Sequence, residues 1–404
     1  EMGALNAAFP LLIPHSFIAA EKDHLDGFSP EIAVVNFAGG KKLEEPYIIR
    51  PTSETVIHYM FGRWIKSWRD LPIRVNQWCS VVRWEKKPKP FIRTTEFWWQ
   101  EGHTAHEESA QAYDQAHEAR RSYQKFISGV LNIPVICGSK PDIEKFAGAR
   151  ATYTLEGIMQ DGKAVQMGTS HVLQQSFAEE FSIKFQNKEG QMAYPVLTSW
   201  GVSTRLIGAL IMAHGDQKGI VFPFHVAPIQ FVVIPIARSD EQRQAIEGVV
   251  KKISAFLADA GYRAFVDISE KTPGNKFNEW EMKGVPIRIE IGPKDIESKQ
   301  LVLLQRNNLG KKQSILLEDF FGSDFIPSLI KEYSKRLFDI AYEKCMSKIG
   351  MITLLEESNM PILTKKIEIE VDNDEAEEIE ENGENKAFVC YWCDDSSYYW
   401  RSEE

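Results

Sequence analysis

Four short stretches of this 404-residue chain concentrate groups that can hold charge. They are Arg50-Pro-Thr-Ser-Glu-Thr55, Val82-Arg-Trp-Glu85 with Phe91-Ile-Arg-Thr-Thr-Glu-Phe-Trp-Trp-Gln-Glu-Gly-His103, Gly168-Thr-Ser-His171, and Ser199-Trp-Gly-Val-Ser-Thr-Arg-Leu-Ile-Gly208. Arg83 and Arg205 each offer a planar bidentate fork, which suits a task made of positioning plus fixed positive charge on anionic oxygens. Taken singly, each feature also has an ordinary reading. Arg83-x-Glu85 on a strand would put both side chains on one face as a surface pair. Phe146 and Trp200 alone read as core, and His171 alone as a satisfied histidine. His15, His24, His58 and His225 keep that ordinary reading. No Gly-x-Ser-x-Gly elbow is present, which disfavours a hydrolase.

The elements that must carry these groups follow from periodicity. Asn76-Gln-Trp-Cys-Ser-Val-Val-Arg-Trp84 alternates as a strand of an antiparallel sheet. Trp98 and Trp99 are adjacent on another, so only one of them can face a site. Ala110, Ala112, Tyr113, Ala116, Tyr123, Phe126 and Val130 recur at helical spacing and predict a helix over 106–131. From Ala227 the texture becomes strand–helix alternation: a buried strand at 229–236, an amphipathic helix at 240–260, and strands at 262–267, 287–291 and 301–304. That pattern predicts a small α/β domain. A third region starts near Ser334. The expected domains are therefore 1–226, 227–333 and 334–404.

Net charge is −10 at 43% hydrophobic and 26% charged residues, an ordinary soluble composition, which excludes a generally basic nucleic-acid binder. The charge has an address: residues 368–384 hold ten acids and no Lys or Arg, so the rest of the chain can still present a basic face. No apolar run approaches the ~20 residues of a membrane span. Five scattered cysteines do not form a disulfide framework and point to a reducing, cytoplasmic setting.

In their order, these words resemble a known family. Arg83-x-Glu85, Phe91 with Arg93, and Phe97 to Glu101 resemble motif 2 of class II aminoacyl-tRNA synthetases, Gly201-x-Ser-Thr-Arg205 resembles motif 3, and Pro10 the end of motif 1. Arg-Pro-Thr-Ser-Glu-Thr, Asn-Gln-Trp-Cys, Trp-Gln-Glu-Gly-His, Gly-Thr-Ser-His and Thr272-Pro-Gly-x-Lys-Phe-Asn-x-Trp-Glu281 are similar to the prolyl-tRNA synthetases of eukaryotic/archaeal type, over residues 1 to about 310. The resemblance implies an α+β catalytic domain on a mixed, mostly antiparallel sheet, an α/β anticodon-binding domain and a small C-terminal zinc-like α+β domain. It implies activation of L-proline by ATP, with Mg²⁺ bridging phosphates, and transfer of proline to tRNA(Pro), by a homodimer with no membrane attachment.

Residue by residue, the resemblance gives Arg83 the α-phosphate and the substrate carboxylate and Arg205 the γ-phosphate end, as the catalytic pair. Glu85 and Arg93 would frame the adenine, and Gln166 and Thr169 the nucleotide side. Thr52 and Glu54 would accept from the proline ammonium. Trp99, Phe146 and His171 would wall its ring, with Glu101 and His103 in the floor and Ser203 in the pocket. Lys276, Trp280, Glu281, Lys283 and Arg288 mix the groups that stacking and edge-reading of an anticodon need. About 65 residues separate His103 from Gly168, too few for the large editing domain of bacterial-type relatives, so no editing in this chain is expected. Cys345, Cys390 and Cys393 offer three of the four ligands of a structural zinc, so metal binding there stays open. The family's motif 1 helix would mostly precede Glu1. Two rivals remain: a synthetase for threonine or serine, against which the absence of a Cys/His cluster near Trp99 and Phe146 argues, and a catalytically dead paralogue, against which Arg83 and Arg205 argue.

Overall fold

The computed structural model describes residues 2–19, 32–142 and 144–346. His24, the acidic run at 368–384, Cys390 and Cys393 lie outside them. By contacts the described chain divides into two units: 2–125 with 135–209, and 126–134 with 210–346.

In the first unit, β1 (Leu5–Asn6), β2 (Leu12–Pro14) and α1 (His15–Ala19) lead to β3 (Ala33–Ala38), β4 (Lys41–Ile49) and α2 (Glu54–Trp64). Then come β5 (Ile73–Val82), β6 (Glu96–His106), α3 (Ser109–Gly129), β7 (Ile136–Ser139), β8 (Ala149–Ile158), β9 (Ala164–Leu173) and α4 (Gln175–Glu180). A short β10 (Phe185–Gln186)–β11 (Met192–Ala193) pair, β12 (Val196–Ser203) and α5 (Arg205–His214) complete it. The main sheet has the order β1-β5-β6-β12-β9-β8-β7, with only β1–β5 parallel. Its mixed, mostly antiparallel character matches expectation, and 107–163 is consumed by α3, β7 and β8 alone.

Strand alternation sorts the side chains of this sheet. Gln77 and Cys79 of β5 pair in register with Glu101 and Trp99 of β6; Ser199, Gly201 and Ser203 of β12 pair with His103, Glu101 and Trp99; and Thr169 and His171 of β9 pair with Gly201 and Ser199. Thr152 of β8 continues the row opposite His171. One face of five strands therefore carries nearly every polar group of interest. The other face receives α3, whose Ala112, Ala116 and Ala119 are fully buried. Their small side chains let the helix approach until the Ser170 hydroxyl donates to Ala116 O at 2.8 Å and Tyr123 to Gln100 Oε1 at 2.5 Å. Gly102 lies on that same face opposite Trp200: a Cβ there would sit 2.1 Å from Trp200 Cε2, so only glycine lets the buried indole lie against the strand.

The second unit is built on a five-stranded sheet, β14-β13-β15-β16-β17. Its elements are β13 (Phe231–Pro235), α6 (Asp240–Asp259), β14 (Ala264–Val266), α7 (Pro273–Met282), β15 (Ile287–Ile291), α8 (Pro293–Glu297), β16 (Gln300–Gln305), β17 (Lys312–Leu316), α9 (Leu317–Phe320) and α10 (Phe325–Met346). β13 pairs in parallel with both β14 and β15. Its run Phe231-Val-Val-Ile234 is wholly buried, the mark of a strand covered on both faces. Phe231 and Val233 face α6, whose Ile246, Val250, Ile253 and Leu257 form its buried stripe, and α10. Val232 and Ile234 face α7 through Trp280. The position expected to separate the second and third regions, 333/334, lies inside α10, whose Tyr333 and Leu337 belong to one core cluster. The helix continues because its apolar face does.

Candidate active site

One cavity of about 430 Å³ in the first unit is lined by Thr52, Glu54, Arg83, Glu85, Arg93, Trp99, Glu101, Phe146, Gln166, Thr169, His171, Ser203 and Arg205. All fourteen catalytic-domain positions expected from the sequence, His103 among them, thus meet in a single space. They come from eight separate elements and loops, and the sheet face described above is what gathers them.

The entry strand differs from expectation in one respect. β5 ends at Val82, so Arg83 and Glu85 sit in the turn beyond it and are not a strand pair on one face. The turn begins with Arg83 N–H donating to Thr95 O at 2.8 Å. Arg83 Nε then donates to Pro51 O at 3.2 Å, and its guanidinium lies 5.5 Å from the ring centroids of both Phe97 and Trp99. Phe97 and Trp99 meet edge to face at 5.9 Å. A cation over an aromatic ring is attracted by the ring quadrupole, which helps hold the guanidinium in place. The loop that supplies Pro51 and Thr52 and leads into Glu54 of α2 is itself pinned by Arg50, which donates to Ser80 O at 2.9 Å and Phe9 O at 2.7 Å.

Arg205 opens α5. Its side chain donates to Ile92 O at 3.1 Å and Gln166 O at 3.4 Å, and its backbone N–H to Ser203 Oγ at 3.2 Å. The arginine and the N-terminus of α5 bring positive charge to the same rim, an arrangement suited to phosphate.

The floor is a buried network. Glu54, in the first turn of α2, is 5% exposed and accepts from the Thr52 hydroxyl. Glu101 is 2% exposed; its Oε1 accepts from Gln77 Nε2 at 3.0 Å and Cys79 Sγ at 3.4 Å, and its Oε2 meets His103 Nε2 at 2.9 Å. Burial opposes ionisation of Glu101, but the His103 hydrogen bond and charge, with bonds from Ser53 and Gln77, outweigh it and hold the carboxyl below its usual range. Burial likewise opposes the His103 imidazolium, and Glu101 and Glu54 outweigh it, so its pKa is raised. Glu54, Glu101 and His103 offer ligand atoms within 4.8 Å of one another. Both Glu101 oxygens are already spent on Gln77, Cys79 and His103, so the group fits a hydrogen-bonded floor better than a metal centre.

The far wall is a stacked pair, Phe146 on His171, with centroids 4.7 Å apart and planes at 30°. Thr152 Oγ1 fixes both, bonding His171 Nδ1 at 2.9 Å and accepting the Phe146 N–H at 3.2 Å. Trp99 faces the cavity while Trp98 turns out at 64% exposure, as alternation requires. Trp200, whose indole lies against Gly102 on the opposite face, has the core reading. Sequence reasoning missed Phe97, Gln77, Cys79 and Thr152. Counting back by two from Trp99 would have found Phe97. Thr152 carries no local signal, because its role comes from pairing across β8 and β9 beside a β-bulge.

In the second unit the structure places three of the five expected anticodon residues inside the domain. Lys276, Trp280 and Arg288 are 5–6% exposed. Lys276 Nζ donates to Asp267 O at 2.8 Å and Trp280 Nε1 to Asp267 Oδ2 at 2.8 Å. Arg288 is held by Glu281 at 2.9 Å and Glu290 at 3.0 Å. Their polar ends are spent inside the domain: α7, which carries Lys276 and Trp280, covers the apolar face of β13, and Arg288 sits on the buried strand β15. Lys283 stays at the surface over the Trp280 ring, at 4.4 Å, and Phe265, 45% exposed, meets that ring at 5.1 Å.

The comparisons agree with this geometry. A family model described as the tRNA synthetase class II core domain (G, H, P, S and T) matches residues 36–214, and an anticodon-binding-domain model matches 230–323. The chain is 48% identical over 343 residues to proline--tRNA ligase of Symbiobacterium thermophilum, covering 85% of this chain and 70% of that protein. It is 46% identical over 359 residues to proline--tRNA ligase of Chloroflexus aggregans, covering 88% and 74%. Among solved structures it is similar to prolyl-tRNA synthetase from Cryptosporidium parvum complexed with halofuginone and AMPPNP, with a TM-score of 0.81 and 42% identity over 86% of this chain and 71% of that one. The same enzyme complexed with L-proline and AMP gives 0.79 and 39% identity, over 86% and 69%. The chain belongs to the proline--tRNA ligase family of class II aminoacyl-tRNA synthetases.

Proposed function

We propose that this chain activates L-proline with ATP to form prolyl-adenylate and diphosphate, and then transfers proline to the 3′ end of tRNA(Pro). The observation that carries the reading is the single cavity in which two anchored guanidiniums, Arg83 and Arg205, share a space with an acid-floored, aromatic-walled pocket. The pocket end suits a compact ring with a secondary ammonium: Thr52 and Glu54 as acceptors, and the flat faces of Trp99, Phe146 and His171 as walls. Ser203 closes the space beside Trp99, its cross-strand partner.

The reaction then needs orientation and electrostatics more than proton transfer. A proline oxygen attacks the α-phosphorus, a bond forms between them, and the bond to the bridging oxygen of diphosphate breaks. Arg83, at the turn between the two halves of the cavity, would hold the substrate carboxylate and α-phosphate together. Arg205, with the α5 N-terminus behind it, would hold the outer phosphates and the departing charge. Glu85 and Arg93 would frame the adenine, with Gln166 and Thr169 along the nucleotide. Mg²⁺ would arrive on the phosphate oxygens of the nucleotide and neutralise part of their charge. Glu101 we read as bracing the floor from below, since its oxygens are occupied.

The second unit would read the anticodon of tRNA(Pro), with Phe265 and Lys283 at its surface. The homodimer reading has support in Trp78 and Trp98, which are 70% and 64% exposed on one face of β5 and β6 and offer apolar surface that a second copy would cover. No helix among the described residues is long and apolar enough to cross a membrane, and we place the enzyme in the cytoplasm. The compact stretch at 107–163 is the basis for reading the chain as lacking an editing domain.

The test is Arg83→Ala in proline-dependent ATP–diphosphate exchange. A loss of roughly two to three orders of magnitude is expected. Near-wild-type exchange would overturn the mechanism.

A further inference from the structure

Cys79 lies under the pocket wall and takes no part in the chemistry above. It is 6% exposed and is the cross-strand partner of Trp99, with Gln77 and Glu101 the next pair along the same face. Cross-strand partners stand about 5 Å apart at Cβ, and here the space is bridged by sulfur. Trp99 Nε1 donates to Cys79 Sγ at 3.2 Å, and the thiol donates to Glu101 Oε1 at 3.4 Å. His103 and Gln77 then anchor Glu101 at 2.9 and 3.0 Å.

We propose that Cys79 is a positioning and specificity-determining residue: its thiol ties the indole edge of Trp99 to the buried Glu101–His103 anchor and so sets the width of the amino-acid pocket. The inference rests on the reading of that pocket as the proline site. Trp99 has one polar atom, the indole N–H, and the thiol is the group that receives it. The indole is thereby held at its edge as well as by the packing of its faces, where Arg83 and Phe97 lie. A ring-sized pocket needs such a stop, because apolar contact alone discriminates one methylene by only about 10–200-fold. The thiol must both accept and donate, which requires that it keep its proton. Burial and the neighbouring Glu101 charge do this by pushing the Cys79 thiol up to about 11. A serine could serve the same two functions with a shorter reach, whereas alanine or valine could serve neither.

The experiment compares Cys79→Ala, Cys79→Ser and wild type in ATP–diphosphate exchange with proline, with its six-membered-ring homologue pipecolate, and with ATP varied at saturating proline. Cys79→Ala is expected to raise KM for proline three- to tenfold and to lower the proline-over-pipecolate preference at least threefold. KM for ATP should stay within twofold, and Cys79→Ser should recover at least half of the loss in logarithmic terms. Should the alanine variant not fold, Cys79→Val, which fills the volume without the polar contacts, carries the same expectation. The inference is overturned if proline KM and ring preference stay within twofold of wild type, if proline and ATP KM rise together, or if the serine variant is as impaired as the alanine one. A wild-type chain that ignores proline but activates another amino acid would overturn the substrate reading and this inference with it. A proline-active wild type with an unchanged alanine variant overturns this inference alone.

Discussion

Thr152→Val isolates the fixing of the pocket's far wall from its composition. The substitution keeps shape and removes one oxygen, which is 2% exposed at the residue level and holds two partners, His171 Nδ1 at 2.9 Å and the Phe146 N–H at 3.2 Å. A hydroxyl that accepts from Phe146 can direct its proton to His171 Nδ1, and that arrangement puts the ring proton of a neutral His171 on Nε2. Each lost hydrogen bond contributes roughly 0.5–1.5 kcal/mol net, so about 1–3 kcal/mol is at stake. If half of that is felt by bound substrate, proline KM rises on the order of three- to tenfold. In the proposed pocket the stack of Phe146 on His171 would face the amino acid, so KM for ATP should move less than twofold. Steady-state exchange with each substrate varied separately reads both numbers, and a melting curve confirms folding. A folded Thr152→Val enzyme with unaltered proline KM would refute the claim that this hydroxyl sets the wall, as would one whose ATP and proline KM rise in parallel.

Three further outcomes follow from the same geometry. Gly102→Ala puts a methyl 2.1 Å from the Trp200 ring; overpacking of this kind costs roughly 1–3 kcal/mol or more, read as a lowered denaturation midpoint with proline KM raised through the flanking Glu101 and His103. His214, buried against Leu131 O at 2.9 Å, has its pKa lowered by burial to about 4. The unfolded chain therefore takes up the proton first, and stability should fall by roughly 3 kcal/mol as pH drops from about 6.5 to about 4; His214→Gln should flatten that slope in pH-dependent denaturation, and an unchanged slope contradicts the assignment. Lys276→Met, which strands Asp267 without its buried ammonium, should cost roughly 3 kcal/mol of stability; folded protein with full stability and weakened tRNA binding would restore Lys276 to a direct RNA contact.

How much of this was legible in the sequence differs between the two units. In the first, Trp99, Glu101 and His103 were readable as one face because a strand alternates, and Glu54, Arg83, His171 and Arg205 because their words occur together. What brings those words to one cavity is the register β5-β6-β12-β9-β8, a product of non-local pairing that no local pattern contains. Arg83 shows the limit: the residue was identified, yet its place beyond the end of β5, with its guanidinium over Phe97 and Trp99, depends on where pairing stops. In the second unit, composition did not reveal burial. Lys276, Trp280 and Arg288 have the chemistry of an RNA surface, but α7 has to cover Val232 and Ile234, and Asp267 waits beneath it to accept the lysine and indole N–H groups. Local spacing marks which side of a helix is apolar, and it does not reveal a buried carboxylate on a neighbouring loop that can draw polar residues inward.

The most direct test of the central claim is ATP–diphosphate exchange by the wild-type chain, run separately with each of the twenty amino acids. Strong exchange is expected with proline, at most weak exchange with alanine or cysteine, and none above background with threonine or serine. Exchange driven by threonine or serine and not by proline, or no exchange with any amino acid from folded protein that still binds tRNA, would contradict it.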